Sequence, residues 1–498
     1  MKKGRYFIVL LSIIAFFTSS SCLKDTDPEE SRNQYVNKWM HDDVMGMYYY
    51  WNDKIPSKLN NKVDPESYFN SMLYSYNENL RPDGDRFSWI QDNYLELLDL
   101  LSGVSGNEPG FEYKLYIDFD DNIFGEFVYI KENTHAKTLG IKRGQVFTHV
   151  NNVKISWENY KTILSEAAKS PTLSLTIWDV TSDPHIVNKV YFSNEHTLTI
   201  NLLNKYAENP IFLDTIYTVH GKTIGYLVYN FFSPDSGDES GSYDLALNNV
   251  IGKFNNHGVD NLILDLRYNS GGRVNSAIHL SSMIVRNLNT NNVFCQLEYN
   301  KEYNKLLLEK YGKDFLIDKF TDKVTIFGND GKEKGKYDLN TIGNLQNLIF
   351  LTGSWTASAS EMVINGLKPY MQLFLAGNVT IGKNVASSTF YKENDRRNKW
   401  GLQPIIAKYF NSEGKSDFTA GFTPDYFDHD SWNYPKKELG DLDEALLNAA
   451  IRHITGEPLS APQTRSLQSA PALLQEIGAS NDNKAWTNQI ITHNVPRF

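Results

Sequence analysis

Three short segments of the sequence carry residue types that could together perform nucleophilic catalysis. Residues 356–361 read Thr-Ala-Ser-Ala-Ser-Glu and offer Ser358 as a nucleophile. Residues 381–383 read Ile-Gly-Lys and offer Lys383 as its base, while Asn-Ser-Gly-Gly at 269–272 offers backbone N–H groups. A serine hydroxyl needs a base to take its proton, and the attacked carbonyl needs donors for its developing charge. The set therefore predicts acyl-transfer chemistry.

Ser358 can also be explained without any chemistry, because Ser-x-x-Glu is a capping box that starts helices. In that interpretation Ser358 is the N-cap and Glu361 the third helical residue. The two interpretations are compatible, since a helix N-terminus directs free N–H groups toward negative charge. Ala359 N–H would be one oxyanion donor, and the turn at Gly271 and Gly272 would supply the second.

Lys383 can act as a base only if its amine is neutral, so its pKa must fall from ~10.4 toward ~7–8. Burial of the ammonium group lowers a lysine pKa. The apolar neighbours Val379, Ile381 and Val385 are consistent with burial. A lysine in such a loop is otherwise a solvated surface residue, so the prediction depends on the combination with Ser358.

Other candidate groups are few. Ser354 and Ser360 are second choices for the nucleophile, and Ser412 to Lys415 matches Ser-x-x-Lys only inside a polar turn. The 11 histidines include none in a recognisable triad context. The sequence has no metal-ligand spacing, P-loop or dinucleotide fingerprint, so neither a metal nor a cofactor is predicted.

The elements that must position these residues have an α/β pattern. Near-continuous apolar runs at 223–229, 261–266 and 347–352 are typical of buried central strands. The motif residues follow two of these runs, and a helix leads on from Ser358, so right-handed crossovers would bring the loops to one sheet edge. Earlier in the chain, apolar residues at helical spacing predict helices, one of them capped by Asp64.

The segment between these parts alternates strands and turns. Residues 134–144 and 146–152 resemble the short helix, the Gly-Ile-Lys-x-Gly turn and the Val-Asn-Gly hairpin of a PDZ domain. Gln145 stands where such domains usually have Asp, and Asn152 where they have Gly. Asn tolerates a positive φ, so the turn survives. A strand-and-turn segment of no particular family remains the alternative.

The N-terminus has the features of an export signal, with a basic head, a short apolar run at 6–17 and small residues before Cys22. The run is shorter than a bilayer span. Cys22 stands where bacterial lipoproteins carry their acylated cysteine, and acidic residues 23–30 resemble an export tag of Bacteroidetes lipoproteins. With Cys22 lipidated, Cys295 has no partner for a disulfide. We therefore expect a cell-envelope, outer-membrane lipoprotein, periplasmic or surface-exposed.

The composition of the chain limits the classes of protein to which it can belong. The 498 residues are 41% hydrophobic and 22% charged, which is typical of a globular, multidomain chain. A net charge of −10 argues against nucleic acid as the main partner. The expected divisions are a signal peptide at 1–21, an acidic tether at 22–33, a helical domain at 34–102, a PDZ-like domain at 103–200, a catalytic core at 201–456 and a loosely packed C-terminal extension at 457–498.

Taken together, the motifs Asp-Leu-Arg-x-Asn-x-Gly-Gly, Ser-Ala-Ser-Glu and Gly-Lys resemble the C-terminal processing (tail-specific) protease family over about residues 105–455. The resemblance implies an α/β core of the ClpP/crotonase-like type behind a PDZ domain. It also implies a serine endopeptidase with Ser358 as nucleophile, Lys383 as base and oxyanion donors at Ala359 and the 271–272 turn.

The chain departs from the family pattern at two places. Ser387 occupies the position of a Gln that assists the lysine, and Ile381 replaces a Phe. The alternative function is therefore a catalytically weak or inactive peptide-binding surface lipoprotein that retains the fold. The expected partners are a peptide or protein substrate and, through the lipid anchor, the outer membrane. The sequence leaves the oligomeric state open.

Overall fold

A computed structural model describes residues 28–118, 121–182, 190–328, 331–428, 430, 434–459, 475–481, 490, 491 and 496. Cys22 and the N-terminal segment, on which the predicted export signal and lipid anchor depend, lie outside these residues. Among the helices described, none combines the length and the hydropathy needed to cross a bilayer.

Five of the described α-helices begin at a residue whose side chain accepts a hydrogen bond from the first helical turn. The Asp64 carboxylate accepts a hydrogen bond from Ser67 N–H at 2.9 Å and Pro65 opens the helix, which confirms the predicted start. A π-helical turn, Met40–Met45, joins the first two α-helices. The α-helices are α1 Pro28–Trp39, α2 Gly46–Tyr48, α3 Pro65–Met72, α4 Tyr94–Leu101, α5 His135–Thr138, α6 Tyr160–Ala167, α7 Ser242–Asn256, α8 Val274–Ile284, α9 Lys301–Tyr311, α10 Ala359–Leu367 and α11 Ala445–Thr455.

The strands are β1 Trp89–Gln91, β2 Val104–Ser105, β3 Phe111–Ile117, β4 Ile123–Ile130, β5 Val146–Val150, β6 Val153–Lys154, β7 Thr172–Ser182, β8 Val190–Asn201, β9 Tyr206–Ala207, β10 Ile211–Val219, β11 Lys222–Tyr229, β12 Asn261–Asp265, β13 Gly272–Arg273, β14 Val293–Tyr299, β15 Ile317–Lys319, β16 Lys323–Phe327, β17 Glu333–Asp338, β18 Asn347–Thr352, β19 Phe374–Gly377, β20 Val385–Ser387, β21 Phe390–Tyr391, β22 Gly401–Gln403, β23 Ile405–Phe410, β24 Tyr426–Phe427, β25 Gln475–Ala479 and β26 Ile490–Ile491. The apolar runs predicted at 223–229, 261–266 and 347–352 form strands β11, β12 and β18, within one residue of those bounds.

The central sheet has the order β10-β11-β12-β18-β19-β24. Every pair from β11 to β24 is parallel, and β10 adds an antiparallel edge. Successive residues of β12 face opposite sides, so Leu262 and Leu264 pack with α7, α8 and α10, while Ile263 packs with α11. The sheet is thus buried on both faces, as its apolar strands predicted. The mixed α/β fold class is confirmed.

The N-terminal helices share the core on the α10 side of this sheet. Trp39, Met40, Tyr48 and Phe69 are buried in the same apolar cluster as α8 and α10. Beyond α3, β1 pairs antiparallel with β22. This pairing holds residues 85–88 against the catalytic part of the chain.

A second sheet is built from the segment that resembles a PDZ domain. Its order is β25-β3-β4-β5-β7-β8, with all of these pairs antiparallel, and β6 pairs with β5. Asn151 and Asn152 have φ values of 51° and 64° in the turn between β5 and β6. The turn without glycine at 152 therefore forms as expected.

A third sheet, in the order β13-β26-β20-β23-β14-β15, lies beside the loops that carry the candidate catalytic residues. Two of the three sheets so far described contain strands from the C-terminal extension: β25 pairs with β3, and β26 pairs with β13 and β20. The prediction of a loosely packed extension is wrong for these strands. Backbone pairing to open sheet edges depends little on side-chain type, so the polar composition gave no sign of it.

Candidate active site

Ser358 lies in the turn between β18 and α10, where a parallel strand ends at its carboxyl edge. Its side chain is fully buried, and its backbone has φ 64° and ψ −115°. A non-glycine residue in such a conformation costs on the order of 1–3 kcal/mol and is typical of functional sites. Within the described part of the chain, the Ser358 hydroxyl has no hydrogen-bond partner. A buried, unpaired hydroxyl at a helix N-terminus is available to react.

The two alternative serines have other contacts. Ser360 Oγ donates a hydrogen bond to the Asn269 carbonyl at 3.1 Å, which ties the helix to the glycine turn. Ser354 Oγ accepts a hydrogen bond from Lys114 Nζ at 2.9 Å, and Lys114 also forms an ion pair with Glu476 at 3.0 Å. These contacts give Ser360 and Ser354 structural roles and favour Ser358 as the nucleophile.

The glycine turn follows β12 and docks on the start of α10. Ala357 N–H donates to the Asn269 carbonyl at 3.2 Å, and Gly271 N–H donates to Asn269 Oδ1 at 2.9 Å. The Gly271 N–H is therefore engaged within the turn. Of the two predicted glycine donors, Gly272 is the better candidate. Ala359 supplies the other N–H from the first helical turn, where no helix carbonyl can accept it.

Gly272 is required at its position for steric reasons. Its φ is 137°, and a Cβ atom there would lie 2.0 Å from the Phe232 carbonyl oxygen. The same carbonyl accepts a hydrogen bond from Arg273 N–H at 2.8 Å, and Phe232 N–H donates to Gly271 O at 2.8 Å. The turn is thus fixed against a neighbouring backbone that leaves no room for a side chain.

Lys383 lies in the loop between β19 and β20 and is fully buried. Burial lowers the pKa of its amine from 10.5 to about 7, while the charges of Asp85 and Glu361 act in the opposite direction. The Phe87 ring centroid is 5.0 Å from Lys383 Nζ. At neutral pH a substantial fraction of the amine is therefore unprotonated, as a general base requires.

Glu361 connects the nucleophile to the lysine loop. Its Oε2 atom accepts hydrogen bonds from Ser358 N–H at 2.9 Å and from Lys383 N–H at 2.8 Å. Its Oε1 atom accepts from Gly382 N–H at 2.6 Å and from the Thr380 hydroxyl at 2.5 Å. Burial raises the pKa of Glu361, and these donors lower it. The residue that the sequence identified only as a helix cap also holds the lysine loop.

Tyr409 connects the same two residues through their carbonyl groups. Its hydroxyl lies 3.3 Å from Ser358 O and 2.9 Å from Lys383 O. Since a phenol has one proton, the two carbonyls share it. Ser358 and Lys383 are therefore linked on their N–H side by Glu361 and on their C=O side by Tyr409.

The N-terminal segment contributes residues that the sequence analysis missed. The charge of Asp85 raises the pKa of Lys383, and the Phe87 ring lies beside the lysine amine. Arg86 Nη2 donates a hydrogen bond to the Gly382 carbonyl at 3.0 Å. Asp85 Oδ1 in turn accepts from the N–H groups of Phe87 and Ser88, both at 2.9 Å. These residues lie nearly 300 positions before the lysine, and no spacing rule connects them.

Ser387 is fully buried on β20, where its register partners are Ile405 on β23 and Ile491 on β26. Its place in the strand is compatible with a supporting role for the lysine loop. The lipidation candidate, Cys22, lies outside the described residues.

Two family models match parts of this chain. Residues 223–427 match the model of peptidase family S41, and residues 33–89 match the S41 N-terminal domain. The chain carries peptidase family S41 domains. The two matched ranges contain the Ser358 and Lys383 loops and the segment that supplies Asp85.

Individual relatives are more distant. The chain is 26% identical over 202 residues to a protein of Staphylococcus epidermidis named probable CtpA-like serine protease, and 22% identical over 287 residues to one of Staphylococcus aureus with the same name. These matches cover 39% and 54% of this chain, and 33% and 47% of the relatives, so the chain spans less than half of their length.

A solved structure covers more of the fold. The crystal structure of a protein named as an S41 protease of Bacteroides fragilis is 25% identical to this chain, with a TM-score of 0.63. The match covers 84% of this chain and 97% of that one. The overall architecture is therefore that of an S41 protease.

Proposed function

We propose that this S41-domain chain is a serine endopeptidase in which Ser358 is the nucleophile and Lys383 is its base. One observation carries the proposal: the backbone N–H groups of Ser358 and Lys383 donate to the same Glu361 oxygen, and these two residues are a buried serine with an unpaired hydroxyl and a buried lysine with a pKa of about 7. Burial disfavours the charged form of an ammonium group, so the lowered pKa of Lys383 suits a residue that takes and returns a proton near neutral pH.

The reaction proceeds by acyl transfer. Neutral Lys383 takes the proton of the Ser358 hydroxyl while its oxygen attacks the carbonyl of the scissile peptide bond. The N–H groups of Gly272 and Ala359 hold the oxyanion of the tetrahedral intermediate. The lysine ammonium then gives the proton to the departing amine, and water hydrolyses the acyl-enzyme with Lys383 again acting as base.

The proposed peptide substrate enters as an extended segment. The β3 edge of the second sheet and the slot beside Gly272 are both strand-pairing edges, and in this structure β25 and β26 occupy them. We assign the first of these edges to a PDZ-like binding function, as the sequence resemblance implies. The peptidase family implies peptide or protein substrates.

We also propose that the enzyme works outside the cytoplasm on a lipid anchor at Cys22. The N-terminal sequence supports this assignment. In cells fed an alkyne fatty acid, the wild-type protein should become labelled and Cys22→Ser should not. Labelling of both proteins, or of neither, contradicts the anchor without affecting the proposed chemistry.

A non-catalytic peptide binder is the second candidate, and the replacement of the expected Gln by Ser387 favours it. Hydrolysis of a fluorogenic peptide library separates the two candidates. The endopeptidase predicts turnover that is lost in Ser358→Ala and in Lys383→Met, while both variants keep the wild-type melting curve. Turnover that persists in purified Ser358→Ala overturns the proposal, and so does a wild-type protein that binds peptides and cleaves none.

A further inference from the structure

The C-terminal extension forms a strand on the open edge of the second sheet. β25 runs antiparallel to β3, with Gln475 opposite Ile117 and Ala479 opposite Lys114. Beyond it, Ser480 N–H donates to the Tyr113 carbonyl at 2.9 Å. The backbone groups that an incoming peptide would use on this part of β3 are therefore already paired with the chain itself.

The same edge borders an apolar pocket between β3 and α6. The pocket has a volume of about 80 Å³ and is lined mainly by aromatic and aliphatic side chains, among them Phe111, Tyr113, Phe147, Leu164 and Leu175. Ile477 of β25 packs against the apolar cluster that contains Phe111, Phe147 and Leu175. A strand-pairing edge next to an apolar pocket is a suitable site for an extended peptide with aliphatic side chains.

The extension also reaches the catalytic loops. β26 is parallel to both of its neighbours, with Ile490 opposite Gly272 and Ile491 opposite Arg273 and Ser387. Adjacent strands lie about 4.8 Å apart, so β13 and β20 are separated by a slot one strand wide. One side of the slot is the oxyanion turn, and the other is the strand that follows Lys383. An extended substrate that presents its carbonyl to Ser358 needs this slot.

A third contact secures the end of the extension. Tyr303 Oη, on α9, donates a hydrogen bond to the Pro496 carbonyl at 2.8 Å. The described parts of the extension therefore contact the peptide-pairing edge, the catalytic slot and α9. The strand pairs and the Pro496 carbonyl are backbone contacts, which a peptide of unrelated sequence could also make, while the Glu476, Ile477 and Ser480 side chains add contacts specific to this extension.

We infer that the C-terminal extension is an intramolecular occupant of both peptide-pairing edges, and that an extended substrate must displace it to reach Ser358. This inference rests on the proposed function, because it takes the slot between β13 and β20 to be the place where the substrate binds. A tethered segment has an effective concentration of about 1 mM. If its intrinsic Kd is about 0.1 mM, it weakens the binding of a competing peptide roughly tenfold.

The test uses the full-length protein and a fluorescent peptide with the sequence of residues 475–498. Binding is measured by anisotropy in the Ser358→Ala background, so no chemistry is needed. The variant S480P/I490P/I491P removes the Ser480 N–H that donates to the Tyr113 carbonyl and two N–H groups of β26. The matched control S480A/I490V/I491V keeps all three N–H groups. We expect the proline variant to bind the peptide at least tenfold more tightly than the control; equal affinity overturns the inference.

A second variant tests the opposite change and covers the case in which the proline variant does not fold. Ile117 and Gln475 are register partners, so I117C/Q475C allows a disulfide that fixes β25 on β3. Each single cysteine variant is the control for other thiol pairing. The oxidised double variant should bind the peptide at least tenfold more weakly than its reduced form, and unchanged binding overturns the inference.

The outcome of the binding tests does not depend on whether Ser358 is the nucleophile. If Ser358 proves not to be a nucleophile, the peptide should still bind the proline variant more tightly. If Ser358 is the nucleophile but the variants bind the peptide equally, the extension is not a competitor, and the endopeptidase assignment stands.

Discussion

Ser358 and Lys383 donate their backbone N–H groups to one atom, Glu361 Oε2, at 2.9 and 2.8 Å. The two residues are 25 positions apart, and the shared oxygen holds their backbone nitrogens within two hydrogen-bond lengths of each other. Because the acceptor is a buried carboxylate, these bonds are stronger than bonds to a neutral group. The geometry of the proposed dyad therefore depends on a third residue.

Glu361→Gln tests that dependence. An amide nitrogen cannot accept a hydrogen bond, so at least one of the two oxygen positions loses its donors and two buried N–H or O–H groups are left unpaired. We expect a loss of about 2–5 kcal/mol in the free energy of unfolding and at least a tenfold fall in kcat. Denaturant unfolding and peptide hydrolysis measure the two effects. Wild-type kcat in Glu361→Gln would contradict the positioning role.

Asp85→Asn tests the electrostatic contribution of the N-terminal segment. The negative charge of Asp85 raises the pKa of Lys383, so its removal should lower that pKa. Asn keeps an oxygen to accept the Phe87 and Ser88 N–H groups. The acid limb of the kcat/KM profile should then move to lower pH. Asp83→Asn, an exposed neighbour, is the control and should leave the limb in place.

The lysine should also make stability depend on pH. Its folded pKa of about 7 lies below the ordinary 10.5, so the unfolded chain binds more protons between these values. Stability therefore rises with pH above about 7, and the Lys383 contribution to that rise ends near the unfolded pKa. In urea unfolding from pH 7 to 9, Lys383→Met should show a smaller rise than the wild type. Parallel curves would mean that Lys383 keeps its proton in the folded protein.

Gly272→Ala tests the oxyanion turn. A methyl group at φ 137° would meet the Phe232 carbonyl, so the turn must move. We expect kcat to fall by about 10²-fold or more, the usual effect of losing one oxyanion donor. Gly343→Ala is the matched control, because a Cβ atom there has nothing within 4 Å. Equal activity of the two variants would exclude Gly272 as a donor.

The sequence predicted the parts of the site that depend on local pattern. Apolar runs identified the strands that end at the site, Ser-x-x-Glu identified the start of α10, and apolar neighbours indicated the burial of Lys383. These features follow from residues within a few positions of each other. Their prediction needed no knowledge of the tertiary fold.

Other parts depend on contacts between distant segments. Asp85 and Phe87 lie beside the lysine through contacts between distant segments, among them the β1–β22 pair and the hydrogen bond from Arg86 to the Gly382 carbonyl. The Gly271 N–H is engaged by Asn269 Oδ1, which changes the choice of donor within the turn. β25 and β26 each pair with a sheet edge that the rest of the fold leaves open. The amino-acid composition of these two strands does not indicate which edges are open.

The most direct test is to locate the acyl group on the enzyme. The protein is treated with a β-lactone probe at pH 8, and peptide mapping by mass spectrometry identifies the modified residue. The proposed mechanism predicts a single adduct on Ser358, no adduct in Ser358→Ala, and at least a hundredfold slower labelling in a folded Lys383→Met variant. An adduct on Ser354 or Ser360, or labelling of Ser358 at the wild-type rate without Lys383, would contradict the serine–lysine mechanism.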